Sequence, residues 1–388
     1  MLRLTALSLL FFIFFPVYIS AQQKLSGTVV EKATNEPIPF ATVQIKDGKS
    51  SLTNENGEFE FIVKELPVTI GVSHLNYVAA ILKVTTADQP LKISMESQVM
   101  TLKEVSVTNP AVAIMREVVD KAFKNYQKSY YGKAFLRQIA YNNDQPTYLN
   151  EIVFDAEWKS YGLVAWNPLQ ARHLQGPKGL SYTNSSFYSF ILSGYLLNNH
   201  HKKPVLKSLD SLYTYRLLGA YEINGQEIVK ILCKPRPILK GVCFEGTYYV
   251  NTVTHDVLKI EGIIKSLSFK DKGPVKVENV LTSLIAQYKL NKNGDNVLDY
   301  SVLNSDSRVN VSGTGATDTH LYSTLYMLDE EAGNKKKLKP VSPDLDDSRL
   351  VKSITYNDDY WAKNQGIKRT DKEQSAIEIL EKIPQVKK

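Results

Sequence analysis

Strict alternation of apolar and polar residues in short runs is the feature that most limits how this chain folds. In "FATVQIK" Ala41, Val43 and Ile45 fall on one face and Thr42, Gln44 and Lys46 on the other, the period of two that belongs to a half-buried β-strand. "EFEFIV" repeats it with Phe59, Phe61 and Val63. From Lys24 to about Glu96 the segments "KLSGTVVE", "FATVQIKD", "EFEFIV", "VTIGVSH", "VAAILKVT" and "LKISM" follow one another with turn residues between them. Strands this short and evenly spaced predict an antiparallel β-sandwich rather than alternating strands and helices.

Inside that region Asn54, Glu55, Asn56, Gly57 and Glu58 offer two readings, a cation loop or a turn. A calcium loop needs a glycine at its sixth position and a bidentate glutamate at its twelfth. Counting from Asn54 puts Gly57 at the fourth, and Glu65 reaches the twelfth only after a full strand has passed. Asn56–Gly57 between "SSLT" and "EFEF" instead predicts a tight hairpin turn, because glycine accepts the positive φ it requires.

The stretch "SGTVVEKATNEPIPFATVQIKDGKSSLTNENGEFEF" resembles the carboxypeptidase regulatory-like domain, a transthyretin-like sandwich common in exported proteins of Bacteroidetes. The residues that carry the resemblance are Gly27, Val29, Pro37, Ile38, Pro39, Ala41, Val43, Thr53, Gly57 and Phe59. The resemblance implies a non-catalytic module, one that accompanies peptidases, TonB-dependent transporters and many other exported proteins.

The chain opens "MLRLTALSLLFFIFFPVYISAQQ", with Arg3, an apolar run from Leu7 to Phe15 and small residues ending at Ala21. This is the pattern of a secretory signal peptide over 1–21, and the apolar run is shorter than the roughly 20 residues a membrane span needs. Cleavage would leave a sandwich over 22–100 and no transmembrane span, placing the product in the periplasm or at the outer membrane. The formal net charge of +7 then points away from nucleic acid and toward an envelope protein, a cell-surface partner, lipid or glycan. Lys335–Lys337 and Lys387–Lys388 read as solvated surface charge.

A linker over 101–110, "TLKEVSVTNP" ending in proline, leads to "AVAIMREVVDKAFKNYQK". There Ala111, Ile114, Val118, Ala122 and Phe123 fall at helical spacing and predict a packing helix over 111–128. From 129 to 370 the chain is rich in Tyr, Val and Ile, and "QPTYLNEIVFDAEW", "GQEIVKILCK", "GVCFEGTYYVNTVTHDVLKIEGII", "VENVLTSLIAQYKL" and "THLYSTLYML" read as strands. The stretch from Trp166 to about Leu209 mixes Gly, Pro, Ser and Asn and reads as loops with one short helix near Phe187–Leu197. A C-terminal helix and basic tail occupy 371–388. The chain is thus mainly β, a sandwich followed by a larger antiparallel domain. A helix followed by long hairpins resembles the curved half-barrel of lipoprotein-carrier proteins. The ending "YNDDYWAKNQGIKRTDKEQSAIEILEK" resembles that of Bacteroidetes proteins that join the same sandwich to a large β-domain.

Cys233 and Cys243 flank the Pro- and Gly-containing turn of "KILCKPRPILKGVCFEG". In an oxidising compartment two cysteines facing each other across a hairpin predict a disulfide.

Signals for catalysis are missing. None of His74, His173, His200, His201, His255 and His320 is followed by Glu or His at zinc-ligand spacing. No Gly-x-Ser-x-Gly elbow and no Ser-x-x-Lys pair occurs. Asp346–Asp347 and Asp358–Asp359 read as loop or capping residues, and "SGTGATDTH" as a hairpin turn. No catalytic, cofactor or metal residue is assigned. The expectation is a non-enzymatic binding or assembly protein of the envelope with the sandwich as docking module. The rival is a carrier that encloses an acyl chain or other hydrophobic ligand in the C-terminal half-barrel. Of the 22 tyrosines, part would line a concave surface suited to lipid, glycan or peptide, or they fill amphipathic strand positions of a large sheet.

Overall fold

A computed structural model describes residues 23–46, 50–99, 110–176, 184–195, 209–223, 225–267, 275–312, 315–329, 334–364 and 366–383. The signal-peptide segment 1–21, most of the linker, His200–His201 and the basic tail at Lys387–Lys388 lie outside the described residues. By internal contact the chain forms a smaller unit, through Ser73 with Ala79–Met95, and a larger one, His74–Val78 with Glu96 onward. Among the described residues no helix is long and apolar enough to cross a membrane.

The N-terminal strands are β1 (Gln23–Glu31), β2 (Thr42–Ile45), β3 (Ser50–Leu52), β4 (Glu58–Val63), β5 (Val68–His74), β6 (Tyr77–Val84) and β7 (Leu91–Met95), of which His74, Tyr77 and Val78 count with the larger unit and the rest with the smaller. They form two sheets, β4-β1-β7 and β3-β2-β5-β6, and the inward alternation is the one in the sequence, with Phe59, Phe61 and Val63 buried. Two details depart from the expectation. β1 and β7 run parallel. The turn at Asn56–Gly57 does not close a hairpin, since β3 and β4 belong to different sheets. Asn54 Oδ1 accepts from the amides of Asn56 and Glu58 at 3.0 and 2.9 Å, and Gly57 O accepts from Val29 N at 2.8 Å. The turn therefore hands the chain across to β1. A Cβ at Gly57, whose φ is +70°, would stand 2.5 Å from Val29 O, so glycine serves the close approach as well as the backbone angle.

In the larger unit α1 (Pro110–Lys124) precedes a single sheet. Pro110 opens the helix where its missing N–H costs nothing, and Lys121 and Lys124 suit the negative end of the helix dipole. The buried stripe is Ala111, Met115, Val118, Val119 and Ala122, whereas Phe123, expected on it, is exposed.

The sheet strands are β8 (Tyr130–Asn142), β9 (Gln145–Lys159), β10 (Gly162–Gln175), β11 (Tyr213–Ile223), β12 (Gln226–Pro235), β13 (Cys243–Asn251), β14 (Val257–Lys265), β15 (Val275–Leu290), β16 (Asn296–Val311), β17 (Gly315–Asp329) and β18 (Lys339–Pro340). Their order is β11-β12-β13-β14-β15-β16-β17-β8-β9-β10-β18, and each neighbouring pair is antiparallel. The short helices are α2 (Ser186–Ile191), α3 (Leu209–Leu212), α4 (Asp347–Lys352), α5 (Asp358–Lys363) and α6 (Asp371–Glu381).

Trp166–Gln175, expected as loop, is the body of β10. Its Pro168 is accommodated because the β9–β10 register slips between Pro168 and Gln170, the kind of irregularity that tolerates a residue without an N–H.

The sheet is strongly curved. Trp158 on β9 and Tyr288 on β15 are separated by β16, β17 and β8. On a flat sheet that is about 19 Å at about 4.8 Å per strand. Their rings lie 6.1 Å apart. The strands bend around α1 and residues 184–195, and one apolar core gathers side chains from β8 through β17 on that inner face.

Candidate functional site

Alternation along β8 and β9 gives the sheet two faces. Ala134, Leu136, Ile152, Phe154, Ala156 and Trp158 join the inner core, and the residues between them face outward. Register then turns alternation into rows. Arg172 on β10, Glu151 on β9 and Arg137 on β8 are direct cross-strand neighbours on the outer face. One strand position further along, His173, Asn150, Gln138 and Ser323 form the corresponding row on the inner face, across β10, β9, β8 and β17.

In the outer row Glu151 is fully buried. Arg137 Nε donates to its Oε1 at 2.8 Å, Arg172 donates to Oε2 with Nε at 2.9 Å and also with Nη2, and Arg369 approaches at 3.4 Å. These guanidiniums outweigh desolvation and hold the Glu151 carboxyl down at about 2. Arg137 also donates to Ile367 O at 2.8 Å and to Glu373 at 3.4 Å, and Arg172 to Glu381 at 3.2 Å. The cluster therefore ties the segment carrying Arg369 and α6 to the sheet, beside Ala376, Ile377 and Leu380 packed on Ile139, Tyr141 and Leu149. A carboxylate held this way is a poor base and a good strut.

The inner row is half satisfied. Gln138 Nε2 donates to Ser185 O at 3.0 Å and Ser323 Oγ at 3.2 Å, and Gln138 Oε1 accepts from Ser185 Oγ at 2.8 Å. Tyr148 OH and Ser185 Oγ are 2.7 Å apart, as are Ser189 Oγ and Ser323 Oγ. These bonds seat the N-terminal end of α2 on the sheet. On the other flank α4 packs against β10. Its Asp347, buried, accepts from the amide of Ser186 at 2.9 Å and from the Ser186 hydroxyl. Burial pushes the Asp347 carboxyl up to about 6. In the same row His173 Nδ1 and Nε2 and Asn150 Oδ1 are buried without a hydrogen-bond partner, as are Trp158 Nε1 at the other end of β9 and Ser160 Oγ in the turn after it. Burial holds the His173 imidazole down at about 4, so it is neutral at neutral pH.

From Asn150 the inner face of β9 runs through Ile152, Phe154 and Ala156 to Trp158, about 27 Å at about 3.4 Å per residue. The far end is aromatic. Tyr195 and Tyr288 meet edge to face at 5.1 Å, with Trp158 6.2 Å from Tyr195. Tyr248 OH donates to Tyr195 O and Tyr288 OH to Ser193 O, each at 3.1 Å. Here residues 190–194 press against the β9–β10 turn. A Cβ on Gly194 would stand 2.3 Å from Gly162 N, and one on Gly162 2.8 Å from Ile191 O.

Several sequence expectations meet the structure here. Cys233 and Cys243 are buried free thiols, which corrects the expected disulfide. The reason is register: Cys233 stands opposite Gly246 and Cys243 opposite Lys265, so the hairpin does not place the two cysteines face to face. Gly27 stands opposite Phe59. Thr53 Oγ1 accepts from Ala41 N at 2.8 Å and donates to Ile38 O at 2.7 Å, while Pro37 and Pro39 are exposed. His320 pairs with Asp306 at 2.7 Å near the surface, and His255 occupies the β13–β14 turn with a φ of +57°. Among the described residues no three His, Cys, Asp or Glu side chains gather as a metal site. Asp346 caps α4 and Asn357 caps α5, whereas Asp347 does more than cap. The row Arg172–Glu151–Arg137 was not singled out from the sequence, although charges inside "AFLRQIAY" and "YLNEIVF" were a signal that the second face of those strands is covered.

Comparison with known proteins identifies one part of the chain. Residues 25–107 match the family described as CarboxypepD_reg-like domain. No curated protein matches the chain. Among solved structures it is similar to a LolA superfamily protein from Nitrosomonas europaea, at 13% identity and a TM-score of 0.24, and to a DUF1329 family protein from Desulfovibrio piger, at 12% and 0.24. Each alignment covers 57% of this chain and 94% of the other.

Proposed function

We propose that the chain is an exported, non-enzymatic binding protein whose larger unit takes an apolar, chain-like ligand on the inner face of its curved sheet. The observation that carries this reading is the contact between Trp158 and Tyr288 across the inside of the sheet. It means that the strands wrap around an apolar interior, which core side chains fill from Ile152 to Trp158 and which short helices rather than a second sheet cover. A ligand on this face would take the place of the helical cover, and an apolar face of this kind suits ligands that are mostly apolar with a few fixed polar contacts. Among the described residues the most buried carboxylate, Glu151, is engaged as a strut between the sheet and the C-terminal segment, which accords with a role other than catalysis.

The test is quenching of tryptophan fluorescence by a bromine-labelled C16 chain. Trp158 and Trp166 lie in the inner core, and Trp361→Phe removes the remaining tryptophan from the signal. Saturable quenching at micromolar ligand is expected. Absence of quenching would overturn the reading.

The smaller unit serves as the docking module in this proposal, for a protein partner in the envelope. β6 is an edge strand, and Ile81 on it is 79% exposed. Edges of this kind are normally blunted unless another chain covers them. Ile81→Lys is expected to abolish capture of the partner in a pull-down from envelope extract, and undiminished capture would sink the docking role.

A further inference from the structure

We propose that the turn between β12 and β13 is a contact for an anionic lipid surface, with Ile238 entering the headgroup region and Arg236 and Lys240 pairing with lipid phosphates. This goes beyond the apolar-ligand reading and does not depend on it.

The turn holds one apolar side chain out of the protein. Leu239 N donates to Arg236 O at 2.9 Å, which closes a four-residue turn, and Pro237 in its second place supplies the backbone angle such a turn needs. Ile238 stands at the apex, 73% exposed, whereas Leu239 beside it is 8% exposed and joins the inner core. The base of the turn is tied to the junction of α3 and β11. Arg236 N donates to Leu212 O at 2.8 Å, and Arg236 Nε to Tyr213 O at 3.3 Å.

A lone exposed aliphatic side chain is ordinary on a protein surface. The charge around Ile238 sets it apart. Lys234, Arg236 and Lys240 are all exposed, and the stretch from Ile228 to Phe244 contains no aspartate or glutamate. Lys265, opposite Cys243 in register, shares Glu245 with Lys234. Four cations therefore meet one carboxylate at this end of the hairpin.

Shape and charge together select the partner. One side chain on a convex turn is too small to bury the roughly 1,000 Å² that a specific protein interface needs, and a hydrophilic polyanion would gain nothing from an apolar apex. A bilayer accepts both parts at once. The aliphatic group reaches the boundary of the acyl chains while the basic side chains lie along it with their heads at the phosphates. Near an anionic surface each basic residue strengthens attachment about fivefold, so Arg236 and Lys240 together are worth about 25-fold.

The experiment is co-sedimentation of the full chain with vesicles of phosphatidylcholine, alone or with one-third phosphatidylglycerol, at low salt. Partitioning onto the anionic vesicles is expected to be at least tenfold stronger. Arg236→Gln combined with Lys240→Gln should weaken it about 25-fold and Ile238→Ser at least fivefold. Val253→Ser, at a position 69% exposed on the turn at the other end of β13, should leave it unchanged. Quenching by the brominated C16 chain should be the same in Ile238→Ser as in the unaltered chain, which separates this surface from the ligand site. Equal partitioning onto both vesicles, or onto neither, would overturn the proposal whatever the quenching shows. Loss in the double variant with Ile238→Ser unchanged would reduce the turn to a general polyanion contact and overturn the entry of Ile238. An effect of Val253→Ser as large as that of Ile238→Ser would overturn the placement. Loss of quenching in Ile238→Ser would mean that attachment runs through the bound ligand, and the proposal would fall.

Discussion

Arg172 stands directly opposite Glu151 in the β9–β10 register and bonds it through both Nε and Nη2. Because Arg137 holds the same carboxylate from β8, removing Glu151 strands buried guanidiniums without a counter-charge. Glu151→Ala is expected to destabilise the larger unit by about 3–5 kcal/mol, measured as a shift of the urea midpoint. Arg369→Ala should cost less, since its contacts are longer, at 3.4–3.5 Å. The pH dependence has one sign. The Glu151 carboxyl lies lower in the folded chain, about 2, than its ordinary 4.5. Its contribution is therefore fully present above pH 4.5 and is lost as pH falls toward 2. Acid unfolding of Glu151→Gln should lack this component.

Asp347 behaves oppositely. Burial raises its carboxyl from 3.8 to about 6, so the folded state holds the proton more tightly than the unfolded one. The ionised form is penalised, and stability declines as pH rises from about 4 through 6. Asp347→Asn keeps an oxygen acceptor for the Ser186 amide and removes the charge. Urea midpoints at pH 4.5 and 7.5 should differ less in this variant than in the unaltered chain. An unchanged difference would refute the assignment.

What could be read from the sequence follows from how far each signal reaches. The alternation of Ala41, Val43 and Ile45 is local, and it located the strands of the smaller unit. That β3 and β4 join different sheets depends on the packing of Gly57 against Val29, a contact between residues far apart in the chain. The longer strands of the larger unit are covered on both faces. Arg137 and Glu151 are buried on the second face, so these strands do not read as simple alternation. The row from His173 to Ser323 exists only once four strands are in register. Single-strand patterns carry no information about it.

Cys233 and Cys243 offer a direct check. Both are buried free thiols, and burial raises both, Cys233 well above its ordinary value, away from the reactive range. The native chain should react slowly with a thiol reagent. Denatured without reductant, it should give two thiols per chain, and added reductant should leave the thermal midpoint unchanged. A disulfide would give no thiols before reduction.

Gly194 and Gly162 allow residues 190–194 to meet the β9–β10 turn backbone to backbone. Gly194→Ala places a methyl group 2.3 Å from Gly162 N and Tyr161 C, a clash with backbone that no rotamer relieves. A loss of about 2–3 kcal/mol is expected, with a change in the near-ultraviolet circular dichroism of the Trp158–Tyr195–Tyr288 cluster. Gly225→Ala is the control for a purely conformational cost. Its φ of +77° is one that side chains rarely adopt, a restriction Gly194 does not carry, and open space surrounds the added methyl.

Thr53 isolates what one hydroxyl does in the smaller unit. It lies in the core at 0% exposure, accepting from Ala41 N at 2.8 Å and donating to Ile38 O at 2.7 Å. The pair of bonds fixes the "PIPFA" segment against the strand that follows it. Thr53→Val is nearly the same size, so packing is preserved while a buried amide and a buried carbonyl each lose a partner. The loss should be about 1–3 kcal/mol. Thr53→Ser keeps the hydroxyl and gives up only a methyl group, at about 1 kcal/mol. The order Thr, then Ser, then Val in denaturant midpoint is the expected result. Val equal to or above Ser would mean that the threonine is held for its methyl group and not for its two hydrogen bonds.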